Sequence, residues 1–249
     1  MLQFDWFNVL HAAEHWLMPF SCVVCGCSAQ QRDICRDCAL ELPWNRDCCR
    51  RCALPLARPA ILCGQCSTRL PPWFSARSAF VYDFPVDSLL RKLKFSRQLP
   101  NGRVLGELTA EWIASFDDEK PNIIVPVPLH WRRQIKRQFN QAEEIARPIS
   151  RRLKIPLANN LCYRRRATKQ QHGLTATLRR RNLRDAFVVK GNTEQTHIAL
   201  VDDVMTTGST LRELSKAFLQ SGASRIDVWT AARVADSGHK KTPSRQGGG

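Results

Sequence analysis

From residue 78 onward, short apolar runs alternate with stretches whose apolar residues recur every three or four positions. The first kind predicts strands and the second predicts helices. Residues 78–82 read as a strand, followed by a helix from Pro85 or Val86 whose apolar face is Val86, Leu89, Leu90 and Leu93. A second helix over 103–116 packs through Val104, Leu105, Leu108 and Trp112. Residues 123–130 form a short buried strand that runs into a loop stiffened by Pro126 and Pro128, neither of which has a backbone donor. Phe139 and Asn140 open a helix that reaches about Leu153. Residues 186–189 and 198–201 read as strands, 211–219 as a helix and 226–229 as the last strand.

The first third of the chain is patterned differently. Residues 4–18 are helix-compatible, with Phe7, Leu10 and Leu17 on a rough face that Glu14 interrupts, and Pro19 ends them. The stretch has no basic residue, so packing on the next module suits it better than a membrane surface. Asp5, His11, Glu14 and His15 break up residues 1–20, so neither a secretory core nor a membrane span is expected, and a cytoplasmic location is. The short segments between the cysteines of residues 22–66 carry Leu40, Leu42 and Trp44, then Leu54 and Leu56, and cannot supply a large apolar core of their own.

What they hold instead is sulfur. Ten of the eleven cysteines precede residue 67, and eight form the pairs Cys22/Cys25, Cys35/Cys38, Cys49/Cys52 and Cys63/Cys66, each CxxC, with nine or ten residues between pairs. A CxxC turn presents two thiolates to one ion and two turns complete a tetrahedral set, so two Cys₄ sites are predicted. Zinc is the default occupant of such closed sulfur sites, an iron–sulfur cluster the alternative. Sequential pairing is preferred because the loops are short; crossed pairing is the other arrangement. Cys27 and Cys48 are spare, the spacing selecting Cys49 over its neighbour. Metal binding would then supply most of this module's folding free energy.

Charge narrows the partners. Lys and Arg number 38 against 22 Asp and Glu, a formal net charge of +16, which suits polyanions. Arg132, Arg133, Lys136 and Arg137 follow the proline loop, at the C-terminal edge of a parallel sheet where α/β proteins place ligands. Arg164, Arg165, Arg166, Lys169, Arg179, Arg180, Arg181 and Arg184 populate a long loop with a short helix near 174–178. Arg32, Arg36, Arg46, Arg50 and Arg51 fit a nucleic-acid surface and an ordinary surface equally. The Lys, Ser, Gly and Pro after Asp236 predict a disordered tail.

The most specific chemistry lies over 197–211. An apolar run is followed by Asp202 and Asp203, then by Thr206, Thr207, Gly208, Ser209 and Thr210, and then by a helical pattern. No glycine–lysine pair and no GxGxxG is present, which excludes the triphosphate P-loop and the dinucleotide fingerprint. Backbone N–H groups and the four hydroxyls can hold a phosphate, and the two acids can accept from sugar hydroxyls.

The stretch 201–210 resembles the phosphoribosyl-pyrophosphate (PRPP) motif of type I phosphoribosyltransferases. Over about 20–235 the chain resembles the ComF family of competence proteins, which joins a zinc ribbon to a phosphoribosyltransferase-like domain, and is similar to its DNA-utilisation members. Val125, Pro126, Val127, Pro128, Leu129 and His130 with Arg132 and Arg133 look like the family's pyrophosphate loop. Arg137 to Gln141 look like its Arg-Gly-Phe-Asn-Gln signature, with Gln138 where glycine is usual. Arg166, Thr168, Gln171 and Arg181 look like its flexible loop. The resemblance implies a type I phosphoribosyltransferase-like α/β fold, an open, mostly parallel sheet flanked by helices, with a double zinc ribbon over 21–72, a phosphoribosyltransferase-like domain over 73–235, a helix-like extension over 1–20 and a tail over 236–249.

It also implies a ligand pose. PRPP, or a related ribose phosphate, would lie across the sheet's C-terminal edge with its 5′-phosphate on 206–210 and its diol on Asp202 and Asp203. Mg²⁺ would bridge diol and pyrophosphate oxygens. Pyrophosphate would leave C1 through a cation-like transition state, neutralised by Arg132, Arg133 and the flexible loop. On this reading Asp202, Asp203 and Arg133 are the catalytic candidates, and Pro128, Leu129 and His130 line the site. No base for the acceptor is identified; His130 and His172 qualify only by type. Single-stranded DNA and other DNA-uptake proteins are the macromolecular partners implied, and a homo-oligomer is compatible. Two rivals stand beside the enzyme: a non-catalytic single-stranded DNA adaptor, and a regulator that senses PRPP.

Overall fold

Residues 20–129, 139–165 and 186–236 are described by the computed structural model. The expected helices over 4–18 and 174–178 and the tail lie outside the described residues. In the cysteine-rich third, β1 (Phe20–Ser21) pairs antiparallel with β2 (Ser28–Ala29), and two short helices, α1 (Arg36–Leu40) and α2 (Gly64–Thr68), start directly after Cys35 and Cys63. The rest is turn and irregular chain, with isolated antiparallel bridges at Trp44–Phe80 and Cys48–Pro55.

The apolar runs become strands and the periodic stretches helices. In chain order they are β3 (Ser75–Val81), α3 (Val86–Ser96), α4 (Leu99–Ala114), β4 (Ile123–Pro126), α5 (Gln141–Leu153), β5 (Cys162–Arg164), β6 (Phe187–Val189), β7 (His197–Met205), α6 (Ser209–Gln220) and β8 (Arg225–Arg233). Four strands form a fully parallel sheet in the order β3-β8-β7-β4. The central pair, β7 and β8, is covered on both faces, which explains their nearly continuous apolar character. On one face α3, α4 and α5 bury Leu89, Leu93, Leu105, Leu108 and Ile145 against Ala199, Val201 and Ala231. On the other, Leu211, Leu214 and Phe218 of α6 meet Ile198, Leu200 and Val228, and the antiparallel β5–β6 pair adds Cys162 and Phe187. Gly106 permits the tight approach of α4 to α5: a Cβ there would lie 2.5 Å from the Ile145 carbonyl oxygen.

Three element ends lie four residues from where the sequence pattern puts them. Helix α4 opens at Leu99, before 103, because Pro100 sits in its first turn, where its missing donor costs nothing. Strand β8 runs on to Arg233. Strand β7 carries both acids within it and ends at Met205. Beyond Pro126 it has lost its β4 neighbour, so its last residues need not be apolar.

The cysteine-rich third is built into this sheet. Cys22, Ile34 and Leu42 belong to the core under α3–α5, whereas Ala53 and Trp73 belong to the core under α6. Between these halves the chain runs along the outer edge of β3. There Val81 N–H donates to the Pro43 carbonyl at 2.8 Å and Asn45 N–H to that of Ala79 at 2.9 Å, closing an edge otherwise open to pairing. Trp44 anchors the run, its ring 4.7 Å from Phe80 and 5.6 Å from Trp112.

Candidate functional site: two thiolate clusters and an acid–hydroxyl loop

Each CxxC pair folds into a tight turn closed by a backbone bond: Gly26 N–H to Cys22 O and Ala53 N–H to Cys49 O, both 2.8 Å, Ser67 N–H to Cys63 O at 2.9 Å, and Ala39 N–H to Cys35 O at 3.0 Å. Ala53 completes its turn in the left-handed region, at φ 52°. The turns bring the sulfurs together sequentially, Cys22, Cys25, Cys35 and Cys38 in one group and Cys49, Cys52, Cys63 and Cys66 in the other, all within 4.8 Å of one another in each group. Cys25 and Cys35 Sγ lie 3.8 Å apart, and Cys52 and Cys63 Sγ 3.6 Å apart. A tetrahedron with Zn–S bonds of about 2.3 Å has an edge of about 3.8 Å, so the donor sets fit zinc in both spacing and chemistry. Four packed thiols do not ionise together unaided. The hydrogen bond from Cys52, then the backbone N–H groups of the turn, lower Cys49 to about 4, while the same bond and burial push Cys52 strongly up. A divalent ion resolves that conflict. Cys27 and Cys48 belong to neither group. Cys162, raised to about 12 by burial, is a core residue.

The second assembly stands where the parallel strands end. Asp202 and Asp203 are partly buried near the end of β7. Asp203 N–H donates to Asp202 Oδ1 at 2.9 Å, and Val204 N–H to Asp203 Oδ1 at 2.8 Å, so the backbone itself orients both carboxylates. Lys94, on α3, reaches Asp203 Oδ2 at 3.3 Å. Burial first, and then the neighbouring Asp203 charge, raise the Asp202 carboxyl well above its ordinary range, with Lys94 opposing. Thr206 and Thr207 follow, both exposed, and Thr207 Oγ1 donates to Ser209 Oγ at 3.2 Å. Gly208 caps α6 in the left-handed region at φ 69°, and a Cβ there would lie 3.1 Å from Trp73 Cη2. Ser209 and Thr210 form the first turn of α6, whose N-terminal N–H groups favour an anion.

Beside this loop, Pro128 and Leu129 lie half-buried just past β4, and Val127 is tied in through N–H to Val201 O at 2.8 Å. Asn140 caps α5, accepting from Ala142 N–H at 3.1 Å, and its amide donates to Val127 O at 3.0 Å, which joins the signature around 139–141 to the exit of β4. His130, Arg132, Arg133 and Gln138 lie outside the described residues, as do Arg166, Thr168, Gln171, His172 and Arg181.

Three further residues reach the loop from outside the 197–211 stretch. Lys94 is one of three cations, with Arg91 and Lys92, interspersed with the apolar positions of α3. Trp73 is buried against Gly208, and Arg51 donates to its carbonyl at 2.6 Å. Arg233, buried at the end of β8, donates to the carbonyls of Met205, Thr206 and Val234 and to that of Cys52. An arginine closing an apolar run is a usable signal, because burial there demands several acceptors.

No helix among the described residues is long and apolar enough to cross a membrane. A family model of the double zinc ribbon domain matches residues 13–72. A DNA utilization protein, YhgH of Salmonella typhimurium, is 36% identical over 228 residues, covering 90% of this chain and 93% of that protein. Competence protein F of Haemophilus influenzae is 35% identical over 245 residues, covering 94% of this chain and all of that one (100%). Among solved structures, a glutamine PRPP amidotransferase from B. subtilis aligns at 17% identity and a TM-score of 0.36, over 52% of this chain and 26% of that one, too remote to bear on function. At more than a third identity along nearly its whole length, the chain belongs to the ComF family, together with the competence protein F and DNA-utilisation YhgH proteins.

Proposed function

We propose that this protein binds PRPP, or a related ribose phosphate, on a type I phosphoribosyltransferase-like domain, and acts in the uptake or use of DNA. The observation that carries the reading is the acid pair of β7 leading directly into a glycine-capped turn of hydroxyls at the N-terminus of α6, on the C-terminal edge of a parallel sheet. The turn offers backbone donors and the hydroxyls of Thr206, Thr207, Ser209 and Thr210 to a 5′-phosphate. Asp202 and Asp203 accept from the ribose diol, held in place by their backbone bonds. Lys94 offsets part of the charge of the pair. The carboxylates are hard oxygen donors that suit Mg²⁺ directly or through water, and the ion would supply charge neutralisation to a diphosphate. Arg132 and Arg133, which follow β4 in sequence, and a basic residue of the 164–184 segment are assigned to neutralising the leaving group, and His130 to lining the site. The double ribbon holds two structural zinc ions. The part in DNA uptake or use rests on the kinship with competence protein F and the DNA utilization protein.

Calorimetric titration with ribose 5-phosphate, and with PRPP and Mg²⁺, tests the site. Asp202→Asn combined with Asp203→Asn is expected to weaken binding by about 10–100-fold, the effect of losing charged acceptors, with the fold retained. Equal affinity in the double variant would remove the diol from this place. Release of pyrophosphate with a panel of bases then separates a transferase from a protein that binds PRPP without turning it over.

A further inference from the structure

We propose that Arg233 is a positioning residue that couples the second cysteine cluster to the 206–210 loop, so that zinc on Cys49, Cys52, Cys63 and Cys66 and a phosphate on the loop stabilise one another. The proposal rests on reading 206–210 as a phosphate loop. Its geometry is that of one planar group with two clients. Arg233 Nε donates to the carbonyl of Cys52 at 3.0 Å. Its Nη1 donates to the carbonyls of Thr206 and Val234, each at 2.6 Å, and to that of Met205 at 3.2 Å. The side chain is buried, 8% exposed as a residue, and the rigid fork of a guanidinium fixes the relative position of everything it holds.

The consequence for the loop follows from the trans peptide. The C=O and the next N–H of one peptide plane point in opposite directions. Carbonyls of Met205 and Thr206 held towards Arg233 therefore turn the N–H groups of Thr206 and Thr207 away from it, and both threonines are exposed. A cation behind the loop thus sets the amide donors that face an anion in front of it.

A second link runs in parallel. Arg51, inside the Cys49–Cys52 turn, donates to the Trp73 carbonyl at 2.6 Å, and the Trp73 indole N–H donates back to the Arg51 carbonyl. The far edge of that indole rests on Gly208. Both ends of the 206–208 turn are therefore linked, through Arg233 and Trp73, to one knuckle of the second cluster. Metal on Cys52 fixes the backbone whose carbonyl orients Arg233. The first cluster is tied elsewhere, to α4, through Arg32 with Glu111 and Arg103 with Asp33.

The test uses the full zinc-loaded chain and ribose 5-phosphate as probe. Zinc is withdrawn by a chelator, and the cysteines that become free are identified by alkylation and mass spectrometry. Ribose 5-phosphate is expected to slow exposure of Cys49, Cys52, Cys63 and Cys66 by roughly fivefold or more, as coupled sites do, and to leave Cys22, Cys25, Cys35 and Cys38 unchanged. Arg233→Met and Arg233→Lys are expected to lose that difference while both clusters still load. Should neither variant fold, hydrogen exchange in the wild type decides: amides over 205–210 are expected to exchange faster once the second cluster alone is emptied. Binding of ribose 5-phosphate with release unchanged, or with both clusters protected equally, overturns the coupling and leaves the phosphate loop standing. No binding to the wild type overturns both.

Discussion

Burial and the charge of Asp203 raise the Asp202 carboxyl well above its ordinary value of 3.8. A carboxyl raised in this way keeps a proton in the native state that the unfolded chain has already released, so stability falls as pH climbs from about 4 through the raised value. Asp202→Asn removes that cost and keeps an oxygen to accept from Asp203 N–H. In the absence of ligand the variant is expected to melt higher at neutral pH, and to lose much of the decline above pH 4, while binding ribose 5-phosphate less well; unchanged melting across a pH series would contradict the assigned burial. Gly208 carries a different constraint. At φ 69°, with Trp73 Cη2 3.1 Å from a would-be Cβ, Gly208→Ala should cost about 1–3 kcal/mol and weaken phosphate binding, both measurable by denaturant titration and calorimetry. The acids, the hydroxyls and Gly208 were all legible in the sequence because the candidate site is one continuous stretch of the chain. Lys94, Trp73 and Arg233 were not: each reaches the loop from another element, and only the packing brings Lys94 Nζ to 3.3 Å from Asp203.

At the scale of elements, period separated strand from helix correctly wherever burial was one-sided or complete, as in α3, whose buried Val86, Leu89, Leu90 and Leu93 are the residues its spacing selects. It failed at ends. Strand β7 continues through two carboxylates because β8 still pairs with it after β4 stops, and β8 continues to Arg233 because a buried arginine can find carbonyl partners there. The cysteine spacing foretold the two groups, and the short loops their sequential pairing. What spacing could not reveal is where the groups dock. Cys22, Ile34 and Leu42 share one apolar cluster with Leu105 and Ile145. Metal analysis is expected to give two zinc ions per chain. From the sequence alone, Cys35→Ala should unfold the ribbon and spare the rest; with the shared core, it should also lower the melting temperature of the whole chain in a single transition. Two separate calorimetric transitions in that variant would show that the docking adds nothing to cooperativity.

Over the whole molecule the dominant property is a formal net charge of +16, much of it in two stretches. Arg132, Arg133, Lys136 and Arg137 follow the β4 exit in sequence, and Arg179, Arg180 and Arg181 belong to a second basic segment that precedes both acids. A protein that only recognises a ribose phosphate needs few of these cations. One that also follows a single strand of DNA needs many, because each phosphate neutralised releases counterions and steepens the salt dependence, by about 0.7 per contact on a single strand. The two roles predict different losses. Replacing Arg179, Arg180 and Arg181 together with alanine is expected to weaken single-stranded DNA binding for every sequence and to reduce the slope of log affinity against log salt by about 2, while calorimetric affinity for ribose 5-phosphate stays within a few-fold. Replacing Arg133 is expected to act the other way, depressing any PRPP turnover far more than DNA binding, since a charge aimed at leaving pyrophosphate counts most in the transition state. Affinity measured at several salt concentrations, with both variants beside the wild type, separates them. A slope unchanged by the triple replacement removes DNA from that segment; turnover unchanged by Arg133→Ala removes the pyrophosphate from the other.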